Sequence, residues 1–424
     1  MNRRVTDKIP DFSFFDVVLA SIISVIHFFV TRLYYDIVPN PYMDEVFHIP
    51  QARAYCDGNY TQWDPMITTP PLIYILTVLA GACGKERYFN SLLIGLCYLA
   101  ALRYGRKQTK SRGWFPALAV VFLPVLFQTS CLYYTDMLSL SLVLLGLGTE
   151  NRFISAVVFA ASCLSRQTNI IWAGFYCFSN LVEHLKAKER DLFKNTVICL
   201  LIHWPFAFLG AGFLGYLYWN DGSLVLGDKT AHQIHFHVPQ VYYFLLFTLG
   251  SSVPHLPTRI TVLRKALWNY RYRLLAASVV MAVTIHFFSY NHPYLLADNR
   301  HYVFYIWRKW MLRHSLCKFL LIPLYLVSFL YFVHVLNATN SFFVCSLLSC
   351  TALTIIPAHL VEFRYFIIPY SIWRLNFNQK SNNLLINLAE LSLHVVLNSI
   401  TVYLFLFRPF EWSHEPGNLQ RFMW

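Results

Sequence analysis

The sequence predicts an all-α, polytopic integral membrane protein, and three observations lead there. Hydrophobic residues make up 57% of its 424 positions and charged residues only 13%, against about 25% charge in soluble domains. Apolar runs such as 115–126, 139–147, 198–218 and 274–288 recur along the chain, with no domain-sized hydrophilic block between them. The alternating apolar and polar segments of a lipid-facing β-barrel are missing. By length the chain would make two or three soluble domains. Here the residues are spent on helical spans of about 20 apolar residues each, so 1–424 reads as one membrane-embedded domain.

The elements follow in order. Arg3 and Arg4 precede the first apolar run, 14–30, and basic residues mark the cytosolic side, so the N-terminus is cytosolic. The first lumenal loop is 34–87. Between Tyr34 and Asp64 it carries Asp36, Asp44, Glu45, Asp57 and Asp64 against a lone Arg53. Asn59-Tyr60-Thr61 is a glycosylation sequon. Pro70 and Pro71 open a further apolar run, and proline suits a helix start. At 72–83 that run is too short to span, so it is expected at the lumenal surface. Span two is 88–104 and delivers a basic loop with Arg103, Arg106, Lys107, Lys110 and Arg112 to the cytosol.

Spans three and four flank a lumenal Tyr133-Tyr134-Thr135-Asp136 turn, and spans five and six flank Ser165-Arg166-Gln167-Thr168-Asn169. A charged cytosolic loop at 183–194 and span seven lead to a second lumenal loop, 220–240. Span eight leads to a basic loop at 259–273, and span nine to a third lumenal loop, 291–302. If 303–311 crosses, there are about fourteen spans; if it lies on the surface, about thirteen. That choice sets the side on which Glu362 and the C-terminal residues stand.

The net charge of +13 sits in these short loops. It therefore reports orientation, and nucleic-acid binding is not expected. Ten cysteines are scattered, mostly within apolar runs, without a C-x-x-C pair. They read as small buried residues; neither a zinc site nor a disulfide frame is indicated.

Four segments can carry chemistry. Asp44-Glu45 places adjacent carboxylates at the bilayer rim, where ionised groups are expensive. One of them can serve as a general base; a solvated acid or helix cap is the bland reading. Arg166 and Gln167 interrupt an apolar stretch, and a guanidinium there suits a bound phosphate or an interfacial anchor. Asp298-Asn299-Arg300-His301-Tyr302 joins phosphate-neutralising groups to hydroxyl-bonding ones. Glu362 and Arg364 read first as a salt bridge at a span end. His232-x-x-His235-x-His237 has metal-like spacing but lacks a completing carboxylate or cysteine. Gly210-x-Gly212-x-x-Gly215 lies within a span and reads as helix packing. There is no phosphate-binding G-x-x-x-x-G-K-[ST] loop, and the lumenal loops hold no D-x-D.

Longer segments carry a resemblance. Residues 42–52 (Tyr42-Met43-Asp44-Glu45-Val46-Phe47-His48-Ile49-Pro50-Gln51-Ala52) and 62–71, with Trp63 and Asp64, resemble the first lumenal loop of the dolichyl-phosphate-glucose-dependent α-1,2-glucosyltransferases of the endoplasmic reticulum. Residues 166–172, 294–302, 362–370 and 420–424 are similar too. The connection 79–88 is shorter than that family's pattern.

The resemblance implies a C-type, polyprenyl-phosphate-sugar-dependent glycosyltransferase fold in the endoplasmic reticulum membrane, multi-pass, with its active site facing the lumen. It implies transfer of glucose from dolichyl-phosphate-glucose to the terminal glucose of a diglucosylated dolichyl-diphosphate oligosaccharide, with inversion to an α-1,2 bond. Asp44 is then the expected base, with Glu45 positioning it or the acceptor. Arg300, His301 and Arg166 are expected at the donor phosphate, and Asp298, Asn299 and Gln167 at the phosphate or sugar. His48, Trp63, Asp64, Tyr302, Glu362 and Arg364 are secondary candidates. No metal or other cofactor is expected. The alternatives are a related polyprenyl-phosphate-dependent mannosyltransferase and a transporter-like membrane protein.

Overall fold

The computed structural model describes residues 12–109, 113–187, 192–229, 235–336, 341–377 and 383–424. Helix α1 (Phe14–Ile37) starts at a capping box: Ser13 Oγ accepts from Asp16 N, and Asp16 accepts from Ser13 N. Two short helices, α2 (Glu45–Cys56) and α3 (Leu72–Leu79), fold over the first loop before α4 (Arg87–Thr109) returns through the bundle. Gly95 of α4 lies against α1, where an added Cβ would sit 3.0 Å from Ala20 O. Only a small residue allows that approach.

Two expectations are corrected in this region. The basic run after span two is not a solvated loop throughout. Helix α4 continues to Thr109, and buried Arg106 donates to both Asp16 oxygens at 2.9 and 2.8 Å. Charges at that depth are tolerated because they neutralise each other. The cysteines do provide a crosslink: Cys56 and Cys83 form a disulfide with Cα atoms 6.0 Å apart. Their separation of 27 residues carries no recognisable spacing, and the folding of α2 against α3 brings them together.

Next come α5 (Trp114–Val121), α6 (Pro124–Ser130), α7 (Asp136–Gly148), α8 (Arg152–Cys163), α9 (Ile170–Ala187), α10 (Leu192–Ile202) and α11 (Trp204–Trp219). Several expected spans are broken or short. Pro124 starts α6 anew after α5, and α10 meets α11 at a 67° bend beside Pro205. Proline lacks the N–H that would continue the ladder. Helix α7 is only 13 residues long and buried almost all round, as befits a helix at the centre of the bundle rather than facing lipid.

The remaining helices are α12 (Gln240–Ser251), α13 (Ile260–Asn269), α14 (Arg271–Phe288), α15 (Pro293–Ala297), α16 (Tyr302–Ile306), α17 (Ile322–Val335), α18 (Ser341–Ile355), α19 (Ile367–Leu375) and α20 (Leu384–Phe407). The expected 259–273 loop is therefore largely helical. Among the described residues α1, α14 and α20 are long and apolar enough to cross a bilayer alone, and the bent α10–α11 pair would make a fourth crossing.

Residues 303–311 fall in α16 and a π-helical turn, Trp307–Met311. Such a segment rises about 15 Å, half of a bilayer core of about 30 Å. Residues 303–311 are therefore too short to cross a bilayer by themselves. After α20 the chain forms a small antiparallel hairpin, β1 (Phe410–Trp412) with β2 (Glu415–Gln420), in which Phe410 faces Gln420. The segment beyond it runs beside residues 300–302: Met423 N donates to Arg300 O at 2.9 Å and Tyr302 N to Met423 O at 3.1 Å. Tyr42 Oη bonds both backbone groups of Arg421. Glu362 and the C-terminal residues thus stand on the face that holds Asp44.

Candidate active site

The adjacent acids Asp44 and Glu45 have opposite surroundings. Met43 adopts a left-handed φ of 54°, a strained conformation for a side chain of this kind, just before α2 begins. Glu45 is fully buried. Its Oε1 accepts from Tyr133 N at 2.7 Å and Arg87 Nε at 2.8 Å, and its Oε2 from Arg87 Nη2 at 2.7 Å and Tyr42 N at 3.1 Å. Arg87 is buried as well and also donates to Val38 O and Asn40 O. Each charge is matched and hydrogen-bonded, so the pair fixes the base of the loop.

Asp44 is the open member of the pair, with its side chain 41% exposed. Its Oδ2 accepts from Arg364 Nη1 at 3.1 Å. Burial pushes the Asp44 pKa up, but its neighbours, the Arg364 guanidinium first among them, hold the carboxyl below its ordinary value. His48 bonds Tyr74 Oη, and burial pulls its imidazole down to about 4. It is neutral at neutral pH.

Arg364 also engages Glu362 Oε2 at 2.7 Å, lies over the Tyr134 ring at 4.9 Å, and approaches Asp136 Oδ2 to 4.0 Å. The expected Glu362–Arg364 salt bridge is present and extends to Asp44. On the far side of Asp136, Oδ1 lies 3.0 Å from Arg166 Nη2, whose Nε donates to Thr135 Oγ1. Asp44, Arg364, Asp136 and Arg166 therefore form a continuous charged row, and the last three line a small cavity of about 30 Å³. Asp136 is not among the expected site residues; the sequence places it only in a turn between two spans. Its only sequence signal is an acid at the foot of an apolar run, in a turn beginning Tyr133-Tyr134.

The segment 298–302 forms a second group beside the first. Asp298 takes Arg300 in a two-pronged pair, both bonds at 2.8 Å, and Trp412 covers the guanidinium at 4.9 Å. Burial raises the Asp298 pKa, but Arg300 and His301 bring it below the ordinary carboxylate value. Asn299 Oδ1 accepts from Trp412 Nε1, and His301 Nδ1 bonds Trp424 O at 3.1 Å. The hairpin thus fixes this segment. Tyr302 Oη and Trp63 Nε1 are buried polar atoms with no hydrogen-bond partner among the described residues. Asp64 shapes its own turn by accepting from Met66 N.

Gln167 Nε2 donates to Thr68 O at 2.8 Å, tying the first loop to the α8–α9 turn. It also lines an apolar groove of about 590 Å³ between α8 and α11, together with Phe153, Leu164, Trp204, Phe208 and Gly212. His235 stacks on His359 at 3.8 Å, whereas His232 lies outside the described residues. No metal-holding group of three His, Cys, Asp or Glu occurs among the described residues.

Residues 38–197 and 189–375 match the DIE2/ALG10 family. The chain belongs to the DIE2/ALG10 family. Family relatives resemble it over nearly their whole length. A human protein is 33% identical over 91% of this chain and 93% of its own. An Arabidopsis thaliana protein is 32% identical over 92% and 96%, and a Drosophila melanogaster protein 32% over 90% and 93%. Each of the three is named a Dol-P-Glc:Glc(2)Man(9)GlcNAc(2)-PP-Dol alpha-1,2-glucosyltransferase. No solved structure matches the chain. The part matched by the DIE2/ALG10 family contains the whole row Asp44, Arg364, Asp136 and Arg166.

Proposed function

We propose that this DIE2/ALG10 family member transfers glucose from dolichyl-phosphate-glucose to the terminal glucose of the Glc(2)Man(9)GlcNAc(2) dolichyl-diphosphate acceptor, with an α-1,2 bond formed. The carrying observation is the split between the two acids: Glu45 is sealed by Arg87, while Asp44 stays ionised and partly open beside Arg364. In this reading the acceptor 2-hydroxyl oxygen attacks C1 of the donor glucose. The C1–O bond to phosphate breaks, and Asp44 takes the hydroxyl proton as the new bond forms. One displacement inverts the β donor to the α product.

Dolichyl phosphate leaves as a stable anion and needs no protonating acid. Arg166 is assigned to that site because its neighbour Gln167 lines the apolar groove between α8 and α11, whose surface suits isoprene units of the donor. Arg300 supplies a second guanidinium and His301 an imidazole on the 298–302 segment, with Tyr302 and Trp63 offering sugar hydroxyls polar atoms that lack a partner among the described residues. The scheme needs no metal, since guanidinium groups meet the developing phosphate charge.

The lumenal orientation of the site has separate support. Disulfides persist in oxidising compartments, and Cys56–Cys83 staples the loop that carries Asp44. The test is a reaction of the purified full chain with synthetic dolichyl-phosphate-glucose and diglucosylated acceptor. The expected product is one hexose heavier and α-1,2-linked at its new terminus. A product of other linkage, or transfer only from a mannose donor, overturns the reading.

A further inference from the structure

The geometry points to Asn59 as an N-glycosylation site of this chain, an assignment that rests on the lumenal orientation of the first loop. Two N-x-[ST] sequences occur in the chain, Asn59-Tyr60-Thr61 and Asn337-Ala338-Thr339. The second falls outside the described residues, between α17 and α18. Leu336, just before it, bridges Phe377 at the far end of α19 from Arg364, and hence away from Asp44.

The first sequon is built to be reached. Helix α2 ends at Cys56, and Gly58 takes a left-handed φ of 79° that turns the chain out of the helix. Asn59, Tyr60 and Thr61 are all exposed, Tyr60 by 60%. The loop is fixed on both sides: the Cys56–Cys83 disulfide precedes the sequon, and Gln51 Nε2 holds Gln62 O at 2.7 Å after it. Thr61 Oγ1 donates to Asn59 Oδ1 at 3.2 Å, so the sequon hydroxyl already contacts the amide. Among the described residues Asn59 Nδ2 donates only to Gln62 Oε1, an exposed contact at 3.0 Å. More than 20 residues separate Asn59 from the ends of both α1 and α4.

The step is a group transfer by a separate enzyme, with a lipid-diphosphate-linked oligosaccharide as co-reactant. Asn59 Nδ2 bonds to C1 of the first sugar, the C1–O bond to diphosphate breaks, and the lipid diphosphate departs. Nδ2 gives up one proton to a base of that enzyme. The donor is of the same chemical class as the glycan lipid on which this chain acts in the function proposed above. Asn59 itself takes no part in the charged row around Asp44, so its modification and the chain's own activity are separable.

The experiment expresses the full chain in eukaryotic cells and treats it with peptide N-glycosidase. Wild type is expected to show one mobility step, with Asn59 converted to Asp in the peptide mass spectrum. Asn59→Gln and Thr61→Ala should each lose the step, Thr61→Ser should keep it, and Asn337→Gln should leave it unchanged. An unmodified wild type with Cys56 and Cys83 still oxidised, beside a modified control glycoprotein, overturns the site and leaves the orientation standing. A step lost only in Asn337→Gln overturns the site. Glucose transfer by Asn59→Gln, measured in the same preparations, reports separately on the proposed function.

Discussion

Arg364 Nη1 lies 3.1 Å from Asp44 Oδ2, across 320 residues of chain. The contact joins the first loop to the turn before α19 and keeps the proposed base ionised. It also leads on, through Asp136, to Arg166. Most of the testable consequences follow from this row.

The pH profile should respond to Arg364. Burial raises the Asp44 pKa and the neighbouring cations lower it further than burial raises it. A depressed pKa keeps the carboxylate charged as pH falls, so the acid limb of wild-type activity should lie below the ordinary carboxylate range. Arg364→Gln removes the largest opposing charge and leaves burial dominant. Its acid limb should move to higher pH, measured as log kcat/KM against pH. An unmoved limb would separate Asp44 from that limb.

Asp136 should act on the donor side. It is almost fully buried between two guanidinium groups, and Asp136→Asn leaves both short of a counter-charge. Transfer should fall on the order of tenfold to a hundredfold, with KM for donor affected more than KM for acceptor. Equal effects on the two substrates would argue for a purely structural role. Arg166→Ala should likewise weaken donor use, through lost phosphate contact.

Glu45 should be a stability residue. Breaking a buried, fully bonded pair such as Glu45–Arg87 costs about 3–5 kcal/mol. Glu45→Gln should therefore lower the unfolding temperature of detergent-solubilised protein well below that of Asp44→Asn. Equal unfolding temperatures would contradict the buried-anchor assignment.

The staple in the first loop should be measurable in the same way. Cys56→Ser with Cys83→Ser opens a loop whose closure is worth about 3.5 kcal/mol. The double variant should unfold at lower temperature, and reductant should reproduce the shift in wild type only.

Chelation should change nothing in the chemistry. Transfer in excess EDTA is expected at the untreated rate, because phosphate departure is met by guanidinium groups in this scheme. A loss restored by a divalent cation would require a metal at the leaving group.

Much of the frame was legible from the residues. The apolar runs and the opposite charge of successive loops led to a helical membrane protein, and the acidic first loop drew attention to Asp44. What stayed hidden depends on long-range geometry. Asp44 and Glu45 are neighbours in sequence, and their different roles arise from the turn at Met43 and from Arg87, 42 residues away. Asp136 gained its place only when α7 met the segments carrying Arg166 and Arg364. The disulfide depends on the packing of α2 against α3. Passes such as α7 are shorter than a lone span needs because neighbouring helices, rather than lipid, surround them.

The most direct test of the account is single-turnover glucose transfer by Asp44→Asn in purified, folded protein with saturating donor and acceptor. An amide cannot accept the hydroxyl proton, so the account predicts loss of transfer with donor binding retained. Near-wild-type turnover in that variant would contradict it.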